Sequence, residues 1–388
     1  MGSLLIIGGT GVLSGAVVRE AIKKGFEVTI INRGRRKLPE GATLLQSDRK
    51  KYEYIKKCLK GNYFDAVIDF LCSGKEDVQK SYNLYRNFTQ QYFFISSCAV
   101  YNTSLGQICK EDSPKILQVW PYSVRKYAGE QTLRDLANNQ QCHYTIIRPC
   151  VTYDDTRIPY GISPRYGYHW TLCARALAGK PLIRWNGGKN RCNMMRVEDF
   201  AIGVVGLIGN PQAYNEAFNI CGDETPSFND VLNAIENNIK CKIPVVDISS
   251  EFYAKELPER AGEILGGRSI DAINSNEKIK KVVSSFHQTI MLKEGIAKTI
   301  SAYKEQNYQK GIDWKFDACC DRIIKKWCKQ KKIETNGLNL HFVDYLNSAT
   351  KKNRIEYELE LYKNTIPIKL MNLVIRAFKK IVRSFNLF

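Results

Sequence analysis

Over the first 150 residues, short apolar, β-rich runs alternate with longer stretches of helical periodicity, and this alternation restricts the chain to few architectures. The runs are Leu4–Ile7, Val28–Ile31, Thr43–Leu45, Ala66–Phe70, Tyr92–Ser96 and Thr145–Arg148; the helical stretches include Gly15–Lys24, Tyr52–Leu59, Lys75–Phe88 and Tyr122–Asn138. Strands apolar on both faces suit a parallel sheet covered on both sides. Parallel neighbours need crossovers, which are right-handed when a helix makes them, so the expected fold class is α/β with a doubly wound parallel sheet.

The first run leads into L-L-I-I-G-G-T-G-V-L-S-G, placing Gly8, Gly9 and Gly11 between a strand and a helix. Glycine there permits a tight turn and a close approach of backbone to a pyrophosphate, whose charge the helix N-terminus stabilises. Ser14 stands where a third glycine is usual and is small enough for close packing. The second run ends I-I-N-R-G-R-R. An acidic residue at this point accepts bonds from the ribose of NAD, whereas arginine accommodates a 2′-phosphate. Asn32 is uncharged and Arg33, Arg35 and Arg36 follow it, so NADP is favoured over NAD. The expected cofactor-binding set is Gly8, Gly9, Thr10, Gly11, Val12, Leu13, Asn32, Arg33, Asp48 and Phe70, with Tyr122 and Lys126.

Tyr122-Ser-Val-Arg-Lys126 opens a helical stretch 25 residues after Ser97, which ends a strand. A spacing of four puts Tyr122 and Lys126 on one helical face. A free tyrosine is a poor base at neutral pH, and a neighbouring ammonium favours its phenolate. Ser97, Tyr122 and Lys126 are thus the catalytic candidates for hydride-coupled proton transfer on a carbinol or ketone.

Together these residues resemble the extended short-chain dehydrogenase/reductase family, in its NAD-dependent epimerase/dehydratase branch. The resemblance runs from Met1 to about Lys329 through G-G-T-G at Gly8–Gly11, S-S-C-A-V-Y at Ser96–Tyr101, Y-S-V-R-K at Tyr122–Lys126 and I-I-R-P at Ile146–Pro149. M-R-V-E-D-F-A at Met195–Ala201 and A-F-N-I-C-G-D-E at Ala217–Glu224 continue it. It implies a Rossmann-type core, a nucleotide-activated sugar as substrate, and Ser97, Tyr122 and Lys126 as the catalytic trio. Dehydratases of this kind place an Asp-Glu pair after the catalytic Ser or Thr; here that position is Cys98-Ala99, which leaves 4-epimerisation or ketone reduction. Val151 stands where an Asn is common and Arg196 where a His is common. Arg157, Arg165 and Arg191 are the candidate substrate-binding residues, each able to hold phosphate by bidentate bonds. A smaller branch, including the chloroplast stem-loop RNA-binding proteins, is also similar, through G-G-T-G-x-x-S, N-R-G and a segment like Lys278–Phe286 followed by Glu294–Ile296. It raises an alternative, an RNA-binding or scaffold protein, which leaves the Ser-Tyr-Lys set without a task.

The division expected is 1–150 for the dinucleotide core, 151–332 for a smaller substrate-binding lobe with interleaved sheet elements, and 333–388 for a basic helical extension. The net charge is +19, and from Tyr303 onward 18 Lys and Arg face 9 Asp and Glu, so the basic excess gathers at this end. Between Ile368 and Phe388 the residues Met371, Val374, Phe378, Ile381, Phe385 and Phe388 make one stripe of an amphipathic helix, with Lys369, Arg376, Lys379 and Arg383 opposite. Such a helix fits an anionic membrane surface, a homodimer partner or the protein's own core. The 13 cysteines form no C-x-x-C pair, and the four histidines show no metal spacing. No leader pattern and an odd cysteine count fit a cytoplasmic setting, peripheral membrane contact included. Tyr160 and Trp185 are candidate cleft or core residues.

Overall fold

The computed structural model describes residues 2–115, 120–138, 140–308 and 311–363, together with Ala377. Its strands are β1 (Ser3–Ile7), β2 (Glu27–Asn32), β3 (Ala42–Gln46), β4 (Phe64–Asp69), β5 (Thr89–Ile95), β6 (His143–Pro149), β7 (Val151–Tyr153), β8 (Leu182–Trp185), β9 (Met194–Arg196), β10 (Glu216–Ile220) and β11 (Val245–Ile248). Seven of them form one parallel sheet in the order β10-β6-β5-β4-β1-β2-β3. The chain winds outward from β1 in one direction and then from β4 in the other. The crevice between the carboxyl ends of β1 and β4 is therefore the switch point at which such sheets bind ligands.

Alternate residues of each central strand enter different cores. Leu4, Ile6, Ile30, Ile68 and Phe93 pack under the helices Val12–Lys23 and Val197–Gly206. Leu5, Ile7, Ile31, Val67 and Tyr92 pack under Lys75–Tyr85 and Pro121–Ala137. Both faces are covered, which is why these strands read as continuous apolar runs.

β10 and the helices Val197–Gly206 and Glu277–Val282 belong to the sheet's own layers, as sheet elements interleaved within residues 151–332. β10 is short, with only Ala217, Phe218 and Ile220 apolar, too little to register as a strand by pattern. The remaining segments build a second core around Tyr160, Trp185 and Phe228, in which Gly161 lies flat against the Trp185 indole. Tyr160 and Trp185 are therefore core residues. Leu340 and Tyr345 join this core, and Tyr357 and Leu361 pack with Ala318 and Phe342. Residues 333–361 thus pack on the second core. The amphipathic stretch Ile368–Phe388 lies outside the described residues. Among the described residues no helix is long and apolar enough to cross a membrane.

Candidate active site at the β1/β4 crevice

Gly8 and Gly9 follow β1 with φ of +114° and +69°. A Cβ on Gly9 would lie 2.5 Å from Ile30 Cγ2, so both the backbone angle and the packing require glycine here. The helix starting at Val12 presents its unpaired N–H groups to the crevice. Ser14 is buried, and its Oγ accepts from Gly11 N at 2.9 Å. The departure from a third glycine thus costs no space and caps the turn.

This turn borders a cleft of about 930 Å³ that is also lined by Asn32, Arg33, Arg35, Arg36, Asp48, Arg49, Lys50 and Phe70. Asn32 holds the turn: its Nδ2 donates to Gly8 O at 3.1 Å and its Oδ1 accepts from Gly34 N at 2.7 Å. Arg36 reaches across, Nη1 donating to Thr10 O at 3.1 Å. Asp48 accepts from Lys50 N at 2.9 Å. That backbone bond, with Arg33, Lys50 and Arg49 nearby, holds its carboxyl below the usual aspartate range. Left-handed glycines, a helix N-terminus and a rim of cations fit a dinucleotide.

A second chamber, about 300 Å³, adjoins this cleft and shares Leu13, Thr152 and Arg157 with it. Ser97 and Tyr122 both line it. Ser97 leaves β5 in extended geometry, its Oγ accepting from Ala99 N at 3.2 Å. Pro121 occupies the first position of the helix Pro121–Ala137, where a missing N–H costs nothing, and Tyr122 follows it. Trp120 packs on the Tyr122 ring at 5.1 Å between centroids and lies flat on Gly267 from the second lobe. Burial pushes the Tyr122 phenol above the ordinary tyrosine range, while a hydrogen bond from Ser97 and the Arg125 and Arg157 guanidinium groups pull it back.

Lys126, one turn after Tyr122, is tied to backbone carbonyls. Its Nζ is buried under the Phe94 ring and donates to Cys72 O at 2.9 Å and Ile95 O at 2.7 Å. Burial lowers its proton affinity. Two of its three donors are held by the backbone carbonyls of Cys72 and Ile95. Position on one helical face brought the residues near; the carbonyls decided where the ammonium went.

Of the three candidate arginines, only Arg157 lines the chamber. Arg165 pairs with Asp313 at 3.2 Å, and Arg191 is turned outward, Nε on Thr225 O at 3.0 Å and Nη2 on Thr225 Oγ1 at 2.5 Å. In the bridge that carries Arg191, the neighbouring Cys192 faces the chamber instead. Arg268 and Glu263, from a helical segment far along the chain, complete the chamber. They pair at 3.3 Å, and the Arg268 Nε is buried without a partner.

Glu130, like Arg268 and Glu263, is a residue that pattern reasoning missed. It continues the spacing of Tyr122 and Lys126 by another turn, and that spacing was the available signal. Buried at the strand ends, Glu130 receives Arg148 Nε at 2.9 Å and Nη2 at 2.6 Å, and Ser96 Oγ at 2.5 Å. Arg148 also donates to Tyr101 Oη at 2.6 Å, and Tyr101 in turn to Asn219 Oδ1 at 2.6 Å. The bidentate pair locks β5, β6 and the tyrosine helix in one arrangement. Cys98, next to Ser97, donates to Arg148 O at 3.2 Å, and burial pushes its thiol well up, so it offers neither acid nor base. His169 is equally inert: burial pushes its ring down to about 3, and its Nδ1 meets the Ile158 backbone at 3.1 Å.

The chain is 28% identical over 247 residues to the chloroplast stem-loop binding protein of 41 kDa b of Arabidopsis thaliana, covering 60% of this chain and 61% of that protein. It therefore spans somewhat less than two thirds of that relative. It is 26% identical over 239 residues to the photosystem II assembly factor Ycf39 of Trieres chinensis, covering 60% of this chain and 68% of that one. The fold resembles UDP-glucose 4-epimerase of Thermotoga maritima with UDP-glucose, at a TM-score of 0.65 and 16% identity, covering 78% of this chain and 99% of the other. The family model for the NAD dependent epimerase/dehydratase family matches residues 4–221. That match takes in the glycine turn, Ser97, Tyr122 and Lys126, and the chain belongs to this family.

Proposed function

We propose that this protein is an NADP(H)- or NAD(H)-dependent epimerase or ketoreductase acting on a nucleotide-activated sugar. The observation that carries the reading is the meeting of Ser97 and Tyr122 in a chamber that opens, past Leu13 and Arg157, onto the glycine turn. The bound nicotinamide supplies the hydride acceptor or donor. Tyr122 Oη moves the proton to or from the carbinol oxygen, and the Ser97 hydroxyl holds that oxygen. Arg157 and Arg268 favour an anionic substrate, their charge offset within the chamber by Glu263 alone. The inert Cys98 argues against water elimination.

Incubating the protein with a panel of nucleotide sugars, while following nicotinamide absorbance and product configuration, tests the reading. Turnover of one member is the expected result. No turnover with either cofactor, together with steeply salt-sensitive RNA binding, would replace it with the second reading, an RNA-binding protein. That reading draws on the 28% identity to a stem-loop binding protein and on the net charge of +19.

The cleft's rim supports NADP. Asn32 is engaged with the turn, while Arg33, Arg35 and Arg36 line the same cleft and offer positive charge to a 2′-phosphate. Arg33→Ala combined with Arg35→Ala is expected to weaken NADPH binding by roughly tenfold to a hundredfold, the worth of one or two charge-assisted bonds, with NADH binding little changed. Fluorescence titration of both reduced cofactors checks this, and an equal loss for the two would remove the 2′-phosphate assignment.

A further inference from the structure

We propose that Asp69 is a positioning residue for the proton-transfer site: its buried carboxylate pins the turn after β4, and that turn presents the Cys72 carbonyl to the Lys126 ammonium. The inference rests on Lys126 serving the chemistry at Tyr122. Its test reads the ammonium itself, so its failure and a failure of turnover are distinguishable.

The two carbonyls that hold Lys126 are anchored in different ways. Ile95 closes β5 in register with Ile147 of β6, and the next bond, Ser96 N to Ile147 O at 2.7 Å, keeps the strands paired just past it. Cys72 lies three residues beyond the end of β4. The pairing of that strand ends with Phe70 N on Ile7 O at 3.2 Å, so from Leu71 onward the backbone needs another partner. Asp69 supplies it. Its Oδ1 accepts from Leu71 N at 2.8 Å and from Cys72 N at 2.9 Å. Its Oδ2 accepts from Ser81 Oγ at 2.5 Å, and Tyr92 Oη donates to Ser81 Oγ at 2.8 Å.

The tyrosine helix presses on the same turn. A Cβ on Gly129, three residues after Lys126, would lie 2.9 Å from the Phe94 ring and 3.4 Å from Gly74 N. Asp69 and Cys72 are both buried here, so close packing carries a displacement of the turn directly to the ammonium's partner. Phe70 and Leu71, which precede Cys72 in the turn, line the cofactor cleft. One carboxylate therefore sets part of that cleft's wall and the seat of the ammonium together. Its two oxygens divide the work: Oδ1 holds the turn, and Oδ2 meets the Ser81 hydroxyl. That division lets positioning be separated from packing.

The test follows the Lys126 ammonium in the full chain by nitrogen-15 NMR of lysine-labelled protein, its signal assigned by loss in Lys126→Met. An ammonium held by two carbonyls exchanges its protons with water slowly. Asp69→Ala is expected to speed that exchange by roughly tenfold to a hundredfold, the worth of one bond to a charged group. Asp69→Asn keeps an oxygen for both N–H groups, because the Ser81 and Tyr92 hydroxyls can turn to meet an amide, and should restore most of the protection. Ser81→Ala removes a partner of Oδ2 alone and should lower the urea midpoint while leaving the exchange at its wild-type rate. A carboxylate that only packs would make exchange follow the urea midpoint in all three variants. If Asp69→Ala does not fold, Asp69→Ser, which can make a weaker turn of the same kind, is expected to give intermediate exchange. Exchange that stays at the wild-type rate in Asp69→Ala or Asp69→Ser, or that rises as much in Ser81→Ala, would overturn the assignment.

Discussion

Tyr122→Phe is expected to lower turnover by roughly a thousandfold or more, the range of a lost general acid or base, while dinucleotide binding stays within a factor of about two, too small for a lost hydrogen bond. The two effects separate because the groups are separate. The phenylalanine ring keeps its packing on Trp120, and the glycine turn with its cation rim is untouched. Only the Oη, which shares the chamber with Ser97, is removed. Ser97→Ala should cost less, about tenfold to a hundredfold, because Ser97 holds an oxygen and transfers no proton. Single-turnover absorbance changes of the nicotinamide, with cofactor binding measured in parallel, separate the outcomes. Turnover unchanged in Tyr122→Phe would remove the proton-transfer assignment. Loss of cofactor binding together with turnover would make the ring structural.

The parts of this site that were legible in the sequence are those whose geometry is local. The glycine turn could be read because a tight turn and a helix N-terminus lie within a few consecutive residues, and the structure keeps both. The parallel sheet could be read because burial on both faces leaves continuous apolar runs. What could not be read depends on partners distant in the chain. Lys126 is steered by carbonyls 54 and 31 residues away, and no spacing within its own helix reveals them. Arg191 and Cys192 are adjacent in the chain yet face opposite ways, and a register set by the contact with Ser227 and Ala272 decides which enters the chamber. Arg268 and Glu263 arrive from the second lobe and carry no motif of their own. The substrate chamber is therefore harder to read than the cofactor cleft, because its walls are tertiary.

The second lobe holds the largest expected stability effect, and it also fixes residues 333–361. Arg175 and Lys180 are fully buried and face two equally buried carboxylates, Asp317 and Asp321. Lys180 sits 3.1 Å from Asp317 and 2.6 Å from Asp321, and Arg175 sits 2.9 Å from Asp321. Two positive and two negative charges close the set at neutrality, without which burial would be prohibitive. The remaining lone pairs are met by the later chain: Tyr345 Oη donates to Asp317 Oδ1 at 2.9 Å, and Tyr357 Oη donates to Asp321 Oδ2. Asp321→Asn removes one charge with little change of shape and leaves a net positive charge in the core. It is expected to destabilise the lobe by roughly 3–5 kcal/mol, seen as a lower urea midpoint and as faster amide exchange in Lys351–Leu361, the helix that Tyr357 anchors. Tyr357→Phe should cost about 1.5–3 kcal/mol, as one bond to a charged acceptor, and should free the same helix. Glu236→Gln, which breaks a pair with the exposed Lys242, should change neither measurement. If Asp321→Asn unfolded at the wild-type midpoint, the network would be incidental, and the packing of Leu340, Tyr345 and Leu361 alone would have to hold residues 333–361 to the lobe.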